Sequence, residues 1–307
     1  MGGLETMSYD KKEKLLYGIS EQGFVTLIDQ ANAPEVAPQL PIVIKAEGTF
    51  TFVSVCANRG LLFVVTKDDP NLGHVLVYKA ASRSEDGTMI TPPELLTTVI
   101  VGYGPDMARP NSACTMLAVA NEGEGVYDEA VGLINPPGSV SLINLEDLDN
   151  VSATNVPFLW TDEELIAKDI HLPLSQNALE YWDEHSTIAD DVNFTLARAT
   201  YTTASVLEPE WLEWTADDKY VLVNLQENAA LVKVNVETAT AEDIYGYGLK
   251  SWEDTPIDII EDDGCATMPT VPGLFSVRTP DSIAVINVNG QTYVATANEG
   301  DDIGKMI

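Results

Sequence analysis

One repeated unit limits what this chain can fold into. A Pro-acid pair is followed by an apolar strand, a turn, a second strand, and then an amide-Glu pair next to Gly or Asn. Pro105-Asp106 leads into Leu117-Ala118-Val119-Ala120-Asn121-Glu122-Gly123-Glu124, with 16 positions from Asp106 to Glu122. Pro209-Glu210 leads into Val221-Leu222-Val223-Asn224-Leu225-Gln226-Glu227-Asn228, with 17 from Glu210 to Glu227. Pro280-Asp281 leads into Tyr293-Val294-Ala295-Thr296-Ala297-Asn298-Glu299-Gly300-Asp301-Asp302, with 18 from Asp281 to Glu299. Other β-branched runs broken by polar or Gly residues, Leu15 to Ile28 and Leu61 to Tyr78, carry the same hairpin signal. A hairpin cannot bury both its faces alone, so such repetition implies a propeller or a related solenoid. The intervals between the three units, 105 and 72 residues from Glu to Glu, exceed the ~40–45 residues of a bare blade, so the units carry insertions.

The chain can fill such a fold. Its 307 residues are 45% hydrophobic, which separates it from acidic disordered tails despite a net charge of −32. That charge makes phosphate backbones and anionic membrane surfaces poor partners and favours cations or basic proteins. No apolar run reaches the ~18 residues of a membrane span, and Met1-Gly2-Gly3-Leu4-Glu5 lacks the basic-then-apolar order of a signal peptide. Cys56, Cys114 and Cys265 are few, odd in number and flanked by strand-like segments. They read as buried thiols, with a Cys56–Cys114 pair as the lesser alternative. Asn150-Val151-Ser152 and Asn193-Phe194-Thr195 are glycosylation patterns should the chain be secreted.

The largest insertion is expected from Glu146 to Val206, between the third and fourth units. In it, Thr161-Asp162-Glu163-Glu164 reads as a capped helix start, and Ser175 to His185 as a second short helix. Tyr245 to Pro272, rich in Gly, Pro and Asp, reads as a long excursion.

Seven motifs occur in order along the chain: Val101-Gly102-Tyr103-Gly104-Pro105-Asp106-Met107, Ala120-Asn121-Glu122-Gly123-Glu124, Gly138-Ser139-Val140-Ser141-Leu142-Ile143-Asn144-Leu145, Leu207-Glu208-Pro209-Glu210-Trp211, Leu225-Gln226-Glu227-Asn228-Ala229-Ala230, Gly248-Leu249-Lys250 and Thr292 to Asp301. In these the chain resembles the choice-of-anchor I module of the mesenchyme-specific cell-surface glycoproteins linked to biomineralisation. The resemblance implies a secreted or surface-attached β-propeller with no firmly assigned catalytic activity. Members of that family run on past the last motif, so the chain is expected to be an incomplete ring, truncated at its C-terminus or completed by another chain.

In a hairpin the start of the first strand and the end of the second share one edge, and radial repetition places those edges around the central channel. Asp106 and Glu122, Glu210 and Glu227, and Asp281 and Glu299 are therefore expected on one face. Asn121, Gln226, Asn228, Asn298 and Asp301 add oxygens beside them. Carboxylates at this density repel unless cations or hydrogen bonds compensate, and Ca²⁺ takes several such oxygens. The plainer alternative is that Pro-acid and Asn-Glu-Gly serve tight turns and strand ends. Glu261-Asp262-Asp263-Gly264 does not fit an EF-hand and reads as a solvated acidic loop.

Signals for an enzyme are thin. The chain has no Gly-x-Ser-x-Gly elbow, His-Glu-x-x-His helix or phosphate loop. His74, His171 and His185 are scattered through what read as loops or the insertion, and Trp211 and Trp214 read as packing. The sequence thus points to an all-β propeller of about five blade units, an incomplete seven-bladed ring with a partly helical insertion. The expected role is a non-catalytic, extracellular or cell-surface adhesion, scaffold or mineral-associated protein that binds Ca²⁺. A metal-dependent phosphoesterase is the rival, and would need Arg109, Arg278 or a Lys to clamp phosphate. A subunit whose partner is a second protein chain is the third reading.

Overall fold

The computed structural model describes residues 6–20, 23–31, 39–40, 48–128, 132–172, 199–258 and 268–299. Its first sheet is the antiparallel meander β1 (Thr6–Asp10), β2 (Leu15–Ser20), β3 (Phe24–Asp29) and β4 (Gln39–Leu40). The second contains β5 (Thr49–Cys56), β6 (Leu61–Asp68) and β7 (Asn71–Lys79). A small ribbon of β8 (Ser82–Arg83) and β9 (Ile90–Thr91) then leads to its outer strand, β10 (Glu94–Tyr103). In the third, β11 (Pro105–Pro110) and β12 (Met116–Asn121) are followed by the side ribbon β13 (Val126–Asp128) and β14 (Gly132–Ile134). The sheet then resumes with β15 (Ser139–Asn144) and β16 (Ala153–Pro157).

The helix α1 (Asp162–Ile166) precedes the fourth sheet of β17 (Pro209–Trp214), β18 (Tyr220–Leu225), β19 (Ala230–Asn235) and β20 (Thr240–Gly246). The ribbon β21 (Leu249–Ser251) and β22 (Phe275–Val277) is followed by the hairpin β23 (Pro280–Val288) and β24 (Gln291–Asn298). The first strands pack in sequence, β1 on β5, β5 on β11, β11 on β17 and β17 on β23. This is the inner ring of a propeller, with four four-stranded blades and a two-stranded fifth unit among the described residues.

Alternation along the strands explains the stacking. On β6, Phe63 and Val65 turn to the third blade with Val75 and Val77 of β7, while Leu62 and Val64 turn to the first with Leu76 and Tyr78. Both faces of this blade are therefore buried, as its near-continuous apolar sequence requires. The fifth unit lacks such cover, and Ile286, Val288 and Tyr293 are each more than 40% exposed.

Several sequence expectations change. Ala153 to Pro157, assigned to the insertion, is the outer strand of the third blade, so the excursion begins after it. Its described helical part is small: α1 has the expected capping box, Glu164 N–H donating to Thr161 Oγ1 and Thr161 N–H to the Glu164 carboxylate. The expected helix at Ser175 to His185 lies outside the described residues, as do Cys265 and the loop at Glu261 to Gly264. His74 sits inside β7 rather than in a loop.

Cys56 and Cys114 are not free thiols but a disulfide, with Cα atoms 6.3 Å apart. They were hard to pair by sequence because 58 residues separate them and the second and third blades meet only in the fold. Arg59 reinforces the join by donating to the carbonyls of Cys114 and Leu145.

Candidate functional site

A backbone irregularity positions the acids of the repeated unit. In the third blade Pro105 pairs with Asn121 and Met107 with Ala120, which leaves Asp106 bulged out of the ladder. In the fourth, Pro209 pairs with Leu225 and Trp211 with Asn224, leaving Glu210. In the fifth unit Pro280 pairs with Asn298 and Ser282 with Ala297, leaving Asp281. The second blade has the same bulge at Thr51, between the pairs Phe50–Thr66 and Phe52–Val65. A bulge of this kind inserts one residue and re-aims its side chain. Here it does so on the strand nearest the axis in every one of these blades.

The backbone on either side is tied down. Thr51 Oγ1 donates to the carbonyl of Pro105 at 2.8 Å, and Asn224 Nδ2 donates to that of Pro280. Two of the three prolines of the unit, Pro105 and Pro280, therefore mark where one blade is bonded to the next.

The register also corrects the sequence alignment. The residue after the bulge's partner is Lys67 in the second blade, Glu122 in the third, Gln226 in the fourth and Glu299 in the fifth unit. Matching Glu227 to Glu122 had slipped the fourth unit by one residue, because its Glu comes one place later. With backbone register as the guide, the separations are 16 for Thr51 to Lys67, Asp106 to Glu122 and Glu210 to Gln226, and the longer β23–β24 hairpin gives 18. Sequence reasoning missed Lys67. The 16-residue spacing was its signal, hidden because Thr stands where the other copies have an acid and Lys where they have Glu or Gln.

These residues meet electrostatically. The Asp106 carboxyl is pushed up to about 6 by burial, with Lys67 opposing and Asp281 and Glu124 adding to the rise. Burial also holds Glu122 well above the usual carboxylate range, and Asp106, Glu124 and Glu227 push the same way. Glu208, absent from the sequence-based set, is 3% exposed, and burial followed by the charges of Glu227, Glu122 and Glu124 raises it strongly. Glu210 is raised by burial and by Glu227, Glu122 and Asp106, and its side chain is hydrogen-bonded to that of Glu227. Two carboxyls sharing a hydrogen bond need one proton between them. For Lys67, burial works against the ammonium charge, but Glu122, Glu124, Asp69 and Asp106 outweigh it and its pKa is raised. Its Nζ lies 3.5 Å from Glu124 and 3.8 Å from Asp69.

Two glycines let the third and fourth blades approach here. A Cβ on Gly123, whose φ is +72°, would lie 2.8 Å from Gly138 N, and one on Gly138 would collide with the Leu207 carbonyl oxygen. The chain beside Glu122 is thereby brought against the chain beside Glu208.

The amides have structural duties. Asn121 accepts from Gly102 N–H and donates to Ser139 and Ser141 Oγ. Asn228 Nδ2 donates to the carbonyls of Val206 and His171. Gln226 is 3% exposed, and its Nε2 has no hydrogen-bond partner. Asp281, Asn298 and Glu299 are exposed at the fifth unit, with burial and Glu299 raising Asp281. Asn150 is exposed in a turn, whereas Asp301 and Asn193 lie outside the described residues. No three His, Cys, Asp or Glu side chains among the described residues stand in a ready-made metal-ligand sphere.

The candidate phosphate clamps are engaged elsewhere. Arg109 pairs with Glu213 at 2.6 Å and lies 5.5 Å from the centre of the Trp211 ring. Arg278 donates to the Tyr247 carbonyl. Trp211 packs edge-on against Phe52, and Trp214 Nε1 donates to the Arg109 carbonyl, so both tryptophans are packing residues.

The model of the choice-of-anchor I domain matches residues 5–305. The chain belongs to the choice-of-anchor I family. Within this choice-of-anchor I chain, the bulged Pro-acid residues and the buried carboxyls lie inside the matched span. Among solved structures, the β-propeller domain of Cps50 (Swd1) from Myceliophteria thermophila is similar over 81% of this chain and 57% of that one, at 12% identity and a TM-score of 0.46. The choice-of-anchor I chain thus spans little more than half of that structure's length. Among curated proteins, none matches it. No described helix is long and apolar enough to cross a membrane.

Proposed function

We propose that this propeller is a non-catalytic extracellular or cell-surface scaffold, of the adhesion or mineral-associated kind, whose acidic channel face binds Ca²⁺. The observation that carries the reading is that a bulge repeated from blade to blade sets Asp106 and Glu210 among Glu122, Glu208 and Glu227. The only donors these side chains offer are oxygens, which suits a hard divalent cation better than zinc or copper. The Cys56–Cys114 disulfide supports an oxidising location.

The test is thermal melting of the chelator-treated chain with and without CaCl₂. Ca²⁺ that binds only the folded state raises the melting temperature, and millimolar CaCl₂ is expected to do so by several degrees. An unchanged melting temperature would return the acidic motifs to turn-making.

A further inference from the structure

We propose that the Ca²⁺ is held on the fourth-blade side of the channel by Glu208, Glu210 and Glu227, with Glu122 reaching it from the third blade, while Lys67 fills the corresponding place beside the second. This deepens the Ca²⁺ reading and rests on it. Two features locate the site. The first is where the fixed positive charge lies. Lys67 stands within 4 Å of Glu124 and Asp69, but the strongest charges acting on Glu208 and Glu210 are all carboxylates. The second-blade side has its cation built in, whereas among the described residues no Lys or Arg forms an ion pair with Glu208 or Glu210.

The second feature is unmet bonding capacity. Glu208 is only 3% exposed, yet its Oε1 has no hydrogen-bond partner. A buried carboxylate oxygen left bare is costly unless it is paired or coordinates a metal. Gly138 lets the third-blade chain come up against the carbonyl of Leu207, the residue before Glu208. Ca²⁺ accepts six to eight oxygen ligands in irregular geometry, drawn from carboxylates, carbonyls and water together.

The test is CaCl₂ titration calorimetry on the whole chelator-treated chain, comparing wild type with Glu208→Gln, Glu210→Gln and the exposed control Glu237→Gln. The first two should weaken Ca²⁺ binding at least about tenfold, and the control should not. Their metal-free forms should melt no lower than wild type, because an amide replaces a buried carboxyl of the same shape; this shows that lost binding is not lost folding. If Glu208→Gln and Glu210→Gln bind as tightly as wild type, the site assignment is wrong and the outer pair Asp281 and Glu299 is the alternative. If wild type itself binds no Ca²⁺, the functional reading fails along with it.

Discussion

At the scale of single residues, the channel sets many acids against the Lys67 ammonium group. Lys67→Gln would remove the positive charge that, among the described residues, offsets the acids acting on Asp106 and Glu122. Metal-free stability should fall by about 1–2 kcal/mol in denaturant unfolding, because the remaining carboxyls lose their partner. Ca²⁺ affinity should rise in the same variant. Asn121→Ala leaves Gly102 N–H and the Ser139 and Ser141 hydroxyls without their buried partner. It should cost about 2–4 kcal/mol, measured the same way. The residue types of the site could be read from the sequence for Asp106, Glu122 and Glu210, since Pro-acid and Asn-Glu are short, local signals. Glu208 could not, because contact between blades places it, and the 16-residue spacing that marks Lys67 stands out only once backbone pairing across the blade is known. Glu227 was named for the wrong position and still joins the site, one residue beyond where the repeat would put it.

Among the elements, the strands were the most legible. Runs such as Tyr220 to Val236 alternate and break where β18 turns into β19, and period-two patterning survives whatever the blades do to one another. The bulges were not legible, since one extra residue in a ladder leaves no mark in composition. The outer strand β16 was missed for a related reason: its residues Ala153-Thr154-Asn155-Val156-Pro157 are polar enough to pass for a loop, and only pairing with β15 makes them a strand. The Cys56–Cys114 link between the second and third blades closes a long loop, which in the chain-entropy account contributes about 4 kcal/mol. Cys114→Ala should therefore lower unfolding stability by about 2–4 kcal/mol, and reductant should destabilise wild type but not this variant.

For the whole molecule, the raised channel carboxyls set an unusual pH dependence. Asp106, Glu122, Glu208 and Glu210 all have folded values above their unfolded ones. Their contribution is full below the unfolded carboxylate values and is lost as pH rises from there through the folded ones, a loss that for Asp106 is nearly complete by about 6. Asp29 and Glu13, held low by their bonds to Arg83, work the other way, but only as pH falls below the ordinary carboxylate range. The metal-free chain should thus melt higher at about pH 5.5 than at about pH 8, and saturating Ca²⁺ should flatten that slope by taking the place of the protons. The central claim is that cation and protons compete for the same buried carboxyls. Ca²⁺ titration calorimetry at pH 7 in two buffers of different protonation enthalpy measures this directly. Release of about one proton or more for each Ca²⁺ bound, with affinity rising as pH rises, is the predicted result. Binding with no proton released and no change in affinity with pH would contradict it.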